Sequence, residues 1–153
     1  MLILPKNIPD YDVEHSETLL YHVRILEDLG EYAEGLSLLD INSKSRAIVD
    51  RTAVMEFRAR LLSKLRDADA SNAWRALIDH NSDCYEYYRG YLASKDVDLD
   101  NPSDDSRAQA LAILQEFASQ LPKAATPRRM ALSFATGMCL LPESGATCNK
   151  LAV

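Results

Sequence analysis

The feature of this sequence that most constrains its fold is an apolar pattern that recurs after 35 or 36 residues. Apolar residues follow a helical period almost throughout, and no run shows the sustained period-two alternation that is typical of a strand. A shift of 36 residues places Met55 on Leu19, and a shift of 35 places Trp74 on Leu39. A self-similar helical pattern of this length predicts helix hairpins that stack on one another.

Turn signals divide this pattern into hairpins. Gly30 ends the first apolar stripe, because glycine readily takes the left-handed conformation that closes a helix, and the second helix ends near Asn42. The second hairpin lacks a turn glycine, and a third begins with Asn81 or Ser82 as its N-cap and stops at Pro122. The period resembles the tetratricopeptide repeat, which predicts an all-α fold of about three hairpins stacked as a short right-handed solenoid.

The pattern also predicts an apolar stripe on the first helix and the points at which the chain divides. The apolar stripe predicted for the first helix consists of Leu19, Leu20, Val23, Ile25, Leu26 and Leu29. The predicted segments are an irregular N-terminus at 1–11, helical repeats at 12–121, a proline-containing basic segment with a short helix at 122–137, and a frayed tail at 138–153.

Composition argues against several classes of function. Asp and Glu number 23 against 17 Lys and Arg, and the resulting net charge of −6 disfavours direct binding of nucleic acid. The N-terminal sequence MLILPKNIPDYD matches neither a signal peptide nor a membrane span. Three cysteines without a CxxC pair favour reduced thiols, so the expected location is cytoplasmic.

An acidic loop invites comparison with a calcium site. Asp96, Asp98 and Asp100 occupy positions 1, 3 and 5 of an EF-hand loop. Asn101 stands where the turn requires glycine, and Arg107 stands where a glutamate should complete the coordination shell. The pattern therefore favours a solvated loop, and no metal site is predicted.

Enzyme signatures are equally incomplete. The sequence contains neither a GxSxG elbow nor a glycine-rich phosphate loop, and its histidines do not have metal-ligand spacing. Cys84 and His80 could form a nucleophile and base on one helix face, but no third group orients the histidine. The alternative for Cys84 is a small buried residue, which the sequence favours. No catalytic residue and no cofactor are predicted.

The segment NSDCYEYYRGYLAS places four tyrosines beside one arginine. Helical spacing puts Tyr85, Tyr88 and Leu92 on one strip, which predicts a packing face. Tyr87 and Tyr91 fall on an adjacent strip that could pack against the next helix or remain half exposed. Because tyrosine is common at protein interfaces, these two residues are candidate partner contacts.

A basic cluster forms the other candidate contact. Lys123, Arg128 and Arg129 lie in the segment PKAATPRRM. Guanidinium groups suit carboxylates and phosphates, so a partner could bind here. The alternative is that all three charges are solvated or paired with acidic residues of a neighbouring helix.

Three ordered blocks resemble a known family. EHSETLLY at 14–21, YEYYRGY at 85–91 and PRRMALSF at 127–134 are similar in order and approximate spacing to blocks of the auxiliary subunit of the N-terminal acetyltransferase A complex, NatA. The similarity extends over about residues 11 to 137. The resemblance implies a noncatalytic scaffold of tetratricopeptide-like repeats that binds the NatA catalytic subunit and, through the complex, the ribosome. Acetyl-CoA and the catalytic groups would then belong to the partner.

The sequence also departs from the family. Asn81, Ser82 and Asp83 replace an Asn-Pro-Glu before the tyrosine block, family members are several times longer, and the similarity ends after Gly137. A truncated paralogue or a fragment that has lost the function is therefore one alternative. A free-standing helical-repeat adaptor for another protein is a second alternative.

Overall fold

A computed structural model of the chain describes residues 13–42, 50–97, 99 and 103–136. These residues form seven α-helices and contain no strand, which confirms the all-α prediction for this part of the chain. The helices are α1 (Val13–Leu29), α2 (Tyr32–Asn42), α3 (Arg51–Lys64), α4 (Ala70–His80), α5 (Tyr85–Ser94), α6 (Asp104–Gln120) and α7 (Thr126–Thr136). The predicted irregular N-terminus and frayed tail lie outside the described residues.

The helices form two compact units, one containing α1 to α3 and the other α4 to α7. In the first unit, α2 packs against both α1 and α3. In the second unit, α4 packs against α5, and α6 packs against α7. The seventh helix lies in the segment for which the sequence predicted only a short helix.

The end of α1 has the turn that the sequence predicted. Gly30 takes a left-handed φ of +82° and donates its N–H to the Glu27 carbonyl at 3.1 Å. The next residue, Glu31, donates to the Leu26 carbonyl at 2.9 Å. These two hydrogen bonds form a Schellman motif, which satisfies carbonyls that the helix end would otherwise leave unpaired.

The same motif ends α3, although the glycine is missing. Arg66 takes a φ of +53° and donates to the Ser63 carbonyl, and Asp67 donates to the Leu62 carbonyl at 3.0 Å. Arg66 lies 36 residues after the turn glycine of α1, which is the offset of the sequence repeat. The repeat therefore keeps its turn geometry in the second hairpin with an arginine in a strained conformation.

A third copy of the motif ends α5. Asp96 has a φ of +60° and donates to the Ala93 carbonyl, while Val97 donates to the Leu92 carbonyl at 3.1 Å. The first helix of each predicted hairpin thus ends in the same way. This shared ending identifies α1, α3 and α5 as equivalent positions in the repeat.

The core of the first unit is aliphatic. It contains Leu19, Val23, Leu39 and Leu61, with half-buried side chains packed around them. Gly35 lets α2 approach α3, since a Cβ atom at this position would lie 3.3 Å from Leu61 Cδ1. A small residue therefore occupies the helix crossing, as the repeat pattern requires.

The predicted stripe of α1 is only partly buried. Leu19, Val23 and Leu26 face the core, whereas Leu29 is 70% exposed and Ile25 is 39% exposed. Ile25 and Leu29 of the stripe therefore stay at the surface, and helical spacing alone does not show how wide a face the neighbouring helices cover.

Candidate functional site

The tyrosine block forms the aromatic core of the second unit. Tyr88 is fully buried, and its hydroxyl donates to the Ser82 carbonyl at 2.7 Å. Burial, together with the nearby Asp83 carboxylate, raises the pKa of this phenol to about 12. Both effects favour the neutral hydroxyl. Tyr88 therefore holds the turn before α5 and does not present a reactive group.

The predicted packing strip is rotated in the structure. Tyr88 and Leu92 are buried as expected, but Tyr85 is only half-buried and Tyr87 is 3% exposed. The Tyr87 ring lies against Trp74, with 6.3 Å between ring centroids. Tyr87 therefore packs within its own unit and exposes little surface to a partner.

Tyr91 keeps part of its ring at the surface. One side packs edge-on against Phe117 at 5.1 Å between centroids, and the ring is half-buried. The Lys95 ammonium lies 5.7 Å from the Tyr91 centroid, within the range of a cation–π contact. An aromatic ring that is anchored on one side and accessible on the other is suited to protein contacts.

Gly90 explains why the tyrosine block contains a glycine. A Cβ atom on Gly90 would lie 2.4 Å from Cε2 of Trp74, which is closer than atoms can approach. Only a hydrogen atom fits between α5 and the indole. This close crossing was missed by sequence analysis, where a glycine inside a helical pattern would have been the signal.

Asp83 joins the tyrosine block to the basic block. Its Oδ1 accepts hydrogen bonds from the N–H groups of Ala125 at 2.8 Å and Thr126 at 3.2 Å. The Thr126 hydroxyl donates to the Asp83 carbonyl at 2.9 Å. A carboxylate at the start of α7 satisfies otherwise unpaired N–H groups and opposes the positive end of the helix dipole. Two blocks that lie far apart in sequence therefore meet at one residue.

The three basic residues lie around the start of α7 and are exposed. Lys123 lies in the turn after α6, and Arg128 and Arg129 lie in the first turn of α7, where Pro127 and Met130 point into the core. Within the described part of the chain, none of the three side chains forms an ion pair. Cations near a helix N-terminus oppose the helix dipole, so this placement does not favour stability. The cluster is instead available to an anionic group of a partner.

Cys84 is not accessible as a nucleophile. It is 1% exposed, as expected for the small buried residue that the sequence favours. His80, its proposed base, lies at the exposed end of α4. The hypothesis of a Cys84 nucleophile is therefore not supported.

Metal-ligating side chains do not cluster in the described part of the chain. Within it, no group of three His, Cys, Asp or Glu side chains could hold a metal ion. Asp98 and Asp100 of the acidic loop lie outside these residues. No helix in the described ranges has both the length and the apolar character needed to cross a membrane.

The first unit has an open groove that sequence analysis missed. Arg60 lies over the Phe57 ring at 4.4 Å and contacts Glu27 at 3.3 Å. The groove is lined by Arg24, Glu27, Asp28, Tyr32, Glu56, Phe57, Arg60 and Lys64. Acidic and basic groups are equal in number along it, so it has no strong preference for a ligand of either charge.

Helix hairpins with a repeated ending and a packed aromatic core define a helical-repeat protein. The profile of the family "N-terminal acetyltransferase A, auxiliary subunit" matches residues 13–140. The chain belongs to this family.

Individual relatives agree with this assignment. The chain is 36% identical over 125 residues to N-alpha-acetyltransferase 16, NatA auxiliary subunit, of Mus musculus, which covers 81% of this chain and 13% of the relative. It is 29% identical over 125 residues to the NatA complex auxiliary subunit NAA15 of Arabidopsis thaliana, which covers 80% of this chain and 14% of that protein. The chain thus spans about one seventh of the length of these relatives.

A solved structure is similar in both fold and sequence. A chain in the structure of Naa15/Naa10 bound to HypK-THB aligns with a TM-score of 0.66 and 36% identity. The alignment covers 87% of this chain and 19% of the other. The helical-repeat fold predicted from the sequence is confirmed by this similarity.

Proposed function

We propose that this chain acts as a noncatalytic scaffold within a NatA N-terminal acetyltransferase. The observation that carries the proposal is the family match over residues 13–140. In this role the chain binds the NatA catalytic subunit, supports acetylation of protein N-termini during translation, and reaches the ribosome through the complex. The similar solved chain belongs to a Naa15/Naa10 structure, which supports a catalytic subunit as the partner.

We propose that the contact surface consists of Lys123, Arg128, Arg129 and the accessible side of Tyr91. The three cations are exposed, and Tyr91 is held in place by Phe117. Tyr87 is buried against Trp74 and is left out of this surface. The partner surface should therefore carry carboxylates and an apolar or aromatic side chain that covers Tyr91.

Co-expression tests this proposal. The chain, carrying an affinity tag, is co-expressed with the NatA catalytic subunit of the same organism, and the captured subunit is quantified. We expect the triple variant Lys123→Glu, Arg128→Glu, Arg129→Glu to reduce capture by roughly tenfold or more, because it reverses the charge of the surface. The matched control, Arg51→Glu, Lys64→Glu, Arg107→Glu, changes the net charge equally at other exposed positions.

The outcomes separate the alternatives. Equal capture by both triple variants would place the contact elsewhere on the chain. If the unaltered chain captures no catalytic subunit but recovers another protein stoichiometrically, it is an adaptor, for which the groove between α1 and α3 is the candidate surface. If the chain captures neither the catalytic subunit nor another protein, it is a fragment that has lost the binding function.

A cytoplasmic location is part of the proposal, since NatA acts during translation. Disulfides are uncommon in that reducing compartment. Unfolding the protein at lysis in the presence of an alkylating agent, followed by mass spectrometry, tests this directly. Three alkylated cysteines would support the location, whereas an unalkylated Cys84 would argue for an oxidising compartment.

A further inference from the structure

Thr126 has the sequence context of a phosphorylation site. It directly precedes Pro127, and Arg128 and Arg129 follow at the second and third positions after it. A hydroxyl before proline with basic residues at these positions is the substrate pattern of proline-directed Ser/Thr kinases. The sequence contains no other serine or threonine followed by proline.

The structure exposes the polar side of this segment. Thr126 is half-buried, Lys123, Ala125, Arg128 and Arg129 around it are exposed, and Pro127 is buried in the core. Few hydrogen bonds hold the first turn of α7. Ala125 and Thr126 bond to Asp83, Arg129 donates to the Ala125 carbonyl at 3.0 Å, and Pro127 has no N–H to donate. A kinase that binds extended segments therefore needs to open the first turn of α7 and to withdraw Pro127 from the core.

We propose that Thr126 is a phosphorylation site and that its phosphorylation replaces Asp83 as the cap of α7 while neutralising the basic surface. The kinase transfers the γ-phosphoryl group of ATP to Thr126 Oγ1. The bond between the γ-phosphorus and the β–γ bridging oxygen breaks, ADP leaves with the electron pair, and the hydroxyl proton passes to the base of the kinase. This proton is the one that Thr126 donates to the Asp83 carbonyl, so that hydrogen bond is lost.

The new charge then competes with Asp83. A phosphothreonine carries about −1.5 to −2 charges at pH 7 and offers strong acceptor oxygens. It would lie beside the Asp83 carboxylate, which already accepts from the two N–H groups at the start of α7. Two anions cannot share this site without repulsion, whereas a single phosphate is well placed at a helix N-terminus next to Arg128 and Arg129. The phosphate therefore takes over the cap and releases the turn before α5.

The same step changes the contact surface. Lys123, Arg128 and Arg129 together carry three positive charges, and a phosphate among them reduces the local charge to about +1. The effect on partner binding rests on the proposed function, but phosphorylation and the change of cap do not depend on it.

The first experiment tests modification of the folded, full-length chain. The chain is incubated with a cyclin-dependent kinase and Mg-ATP, and intact mass and peptide mapping locate the phosphate. We expect one phosphoryl group at Thr126, none in Thr126→Val, and a several-fold slower reaction in the double variant Arg128→Gln, Arg129→Gln. Modification at another residue, or only after heat unfolding, would overturn the proposal.

The second experiment tests the exchange of caps by thermal unfolding. In the unmodified chain, Asp83→Ala should lower the Tm by about 2–4 °C, because it removes a cap. In the phosphorylated chain the same substitution should leave the Tm unchanged or raise it, because the repulsion is removed. An equal decrease in both forms would contradict the exchange of caps.

A third measurement concerns the partner. Phosphorylation should weaken capture of the catalytic subunit by roughly tenfold. Unchanged capture together with a confirmed exchange of caps would reject only the effect on the partner.

Discussion

The two compact units build the same kind of helix crossing from different side chains. In the unit of α1 to α3, a glycine meets a flexible leucine, with 3.3 Å between the hypothetical Cβ of Gly35 and Leu61 Cδ1. In the unit of α4 to α7, a glycine meets an indole, and the corresponding distance from Gly90 to Trp74 Cε2 is 2.4 Å. A leucine methyl can move by changing rotamer, whereas a buried indole ring cannot move without a clash with the close-packed side chains around it. The aromatic unit is therefore less tolerant of substitution.

The largest expected effect is the loss of the ring at the centre of the aromatic unit. Phe117 packs edge-on against Tyr88 at 5.3 Å and Tyr91 at 5.1 Å, and the Arg75 guanidinium lies 4.7 Å from its centroid. Phe117→Ala should lower the free energy of unfolding by about 3–5 kcal/mol. Urea unfolding followed by the fluorescence of Trp74, the only tryptophan, measures the loss in this unit.

The matched control is the same substitution in the aliphatic unit. Phe57 is half-buried at the edge of the core, with the Arg60 guanidinium over its ring. Phe57→Ala should lower the free energy of unfolding by only about 1–2 kcal/mol, because less of the side chain is buried. Equal losses for both variants would remove the distinction between the units.

The second prediction compares the glycines at the two crossings. Gly90→Ala should destabilise the protein by about 2–3 kcal/mol, because the new methyl group displaces the indole of Trp74. Gly35→Ala should be close to neutral, since a small shift of Leu61 is offset by the gain of about 1 kcal/mol in helix propensity. Hydrogen exchange of the α5 and α2 amides locates each effect. A Gly90→Ala variant with unchanged Trp74 fluorescence and stability would contradict the close crossing.

A third prediction concerns the buried phenol of Tyr88 in the aromatic unit. The pKa of Tyr88 is raised to about 12, from 10.0 in an unfolded chain. Because the folded state disfavours the phenolate, the stabilisation is complete below pH 10 and is lost as the pH rises from 10 towards 12. Between pH 8 and pH 11 the free energy of unfolding should fall by roughly 1 kcal/mol more than in Tyr88→Phe. Identical pH profiles for the two proteins would show that Tyr88 titrates normally.

Local signals were sufficient for the helices but not for their contacts. The recurrence of 36 residues and Gly30 predicted the hairpins and the end of α1, because helical period and glycine chemistry act within a few residues. The burial of Tyr87 and the exposure of Leu29 depend on which neighbours pack against each face, which spacing does not specify. The link between Asp83 and Thr126 joins residues that are 43 positions apart, so no local pattern indicates it.

The candidate site also combines residues that the sequence identifies with contacts that only the structure shows. The sequence identified the exposed cations Lys123, Arg128 and Arg129 because a basic cluster is visible in the chain itself. The sequence did not show that these cations lie around the start of α7. At that point the Asp83 carboxylate accepts hydrogen bonds from the N–H groups of Ala125 and Thr126. Their role as partner contacts stays a prediction until the co-expression test.

The smallest expected effect is a gain in stability at the turns where the repeat lacks glycine. Arg66 adopts a left-handed φ of +53° at the end of α3, which costs about 1–2 kcal/mol for a residue with a Cβ atom. Arg66→Gly removes this strain but adds about 0.5–1 kcal/mol of chain entropy to the unfolded state, so the net gain should be about 0.5–1 kcal/mol. Asp96→Gly, at the equivalent turn of the aromatic unit, should gain less, because aspartate tolerates this conformation better than arginine. Thermal unfolding of both variants measures the difference, and a decrease in stability for Arg66→Gly would mean that the arginine side chain, and not the turn geometry, stabilises the end of α3.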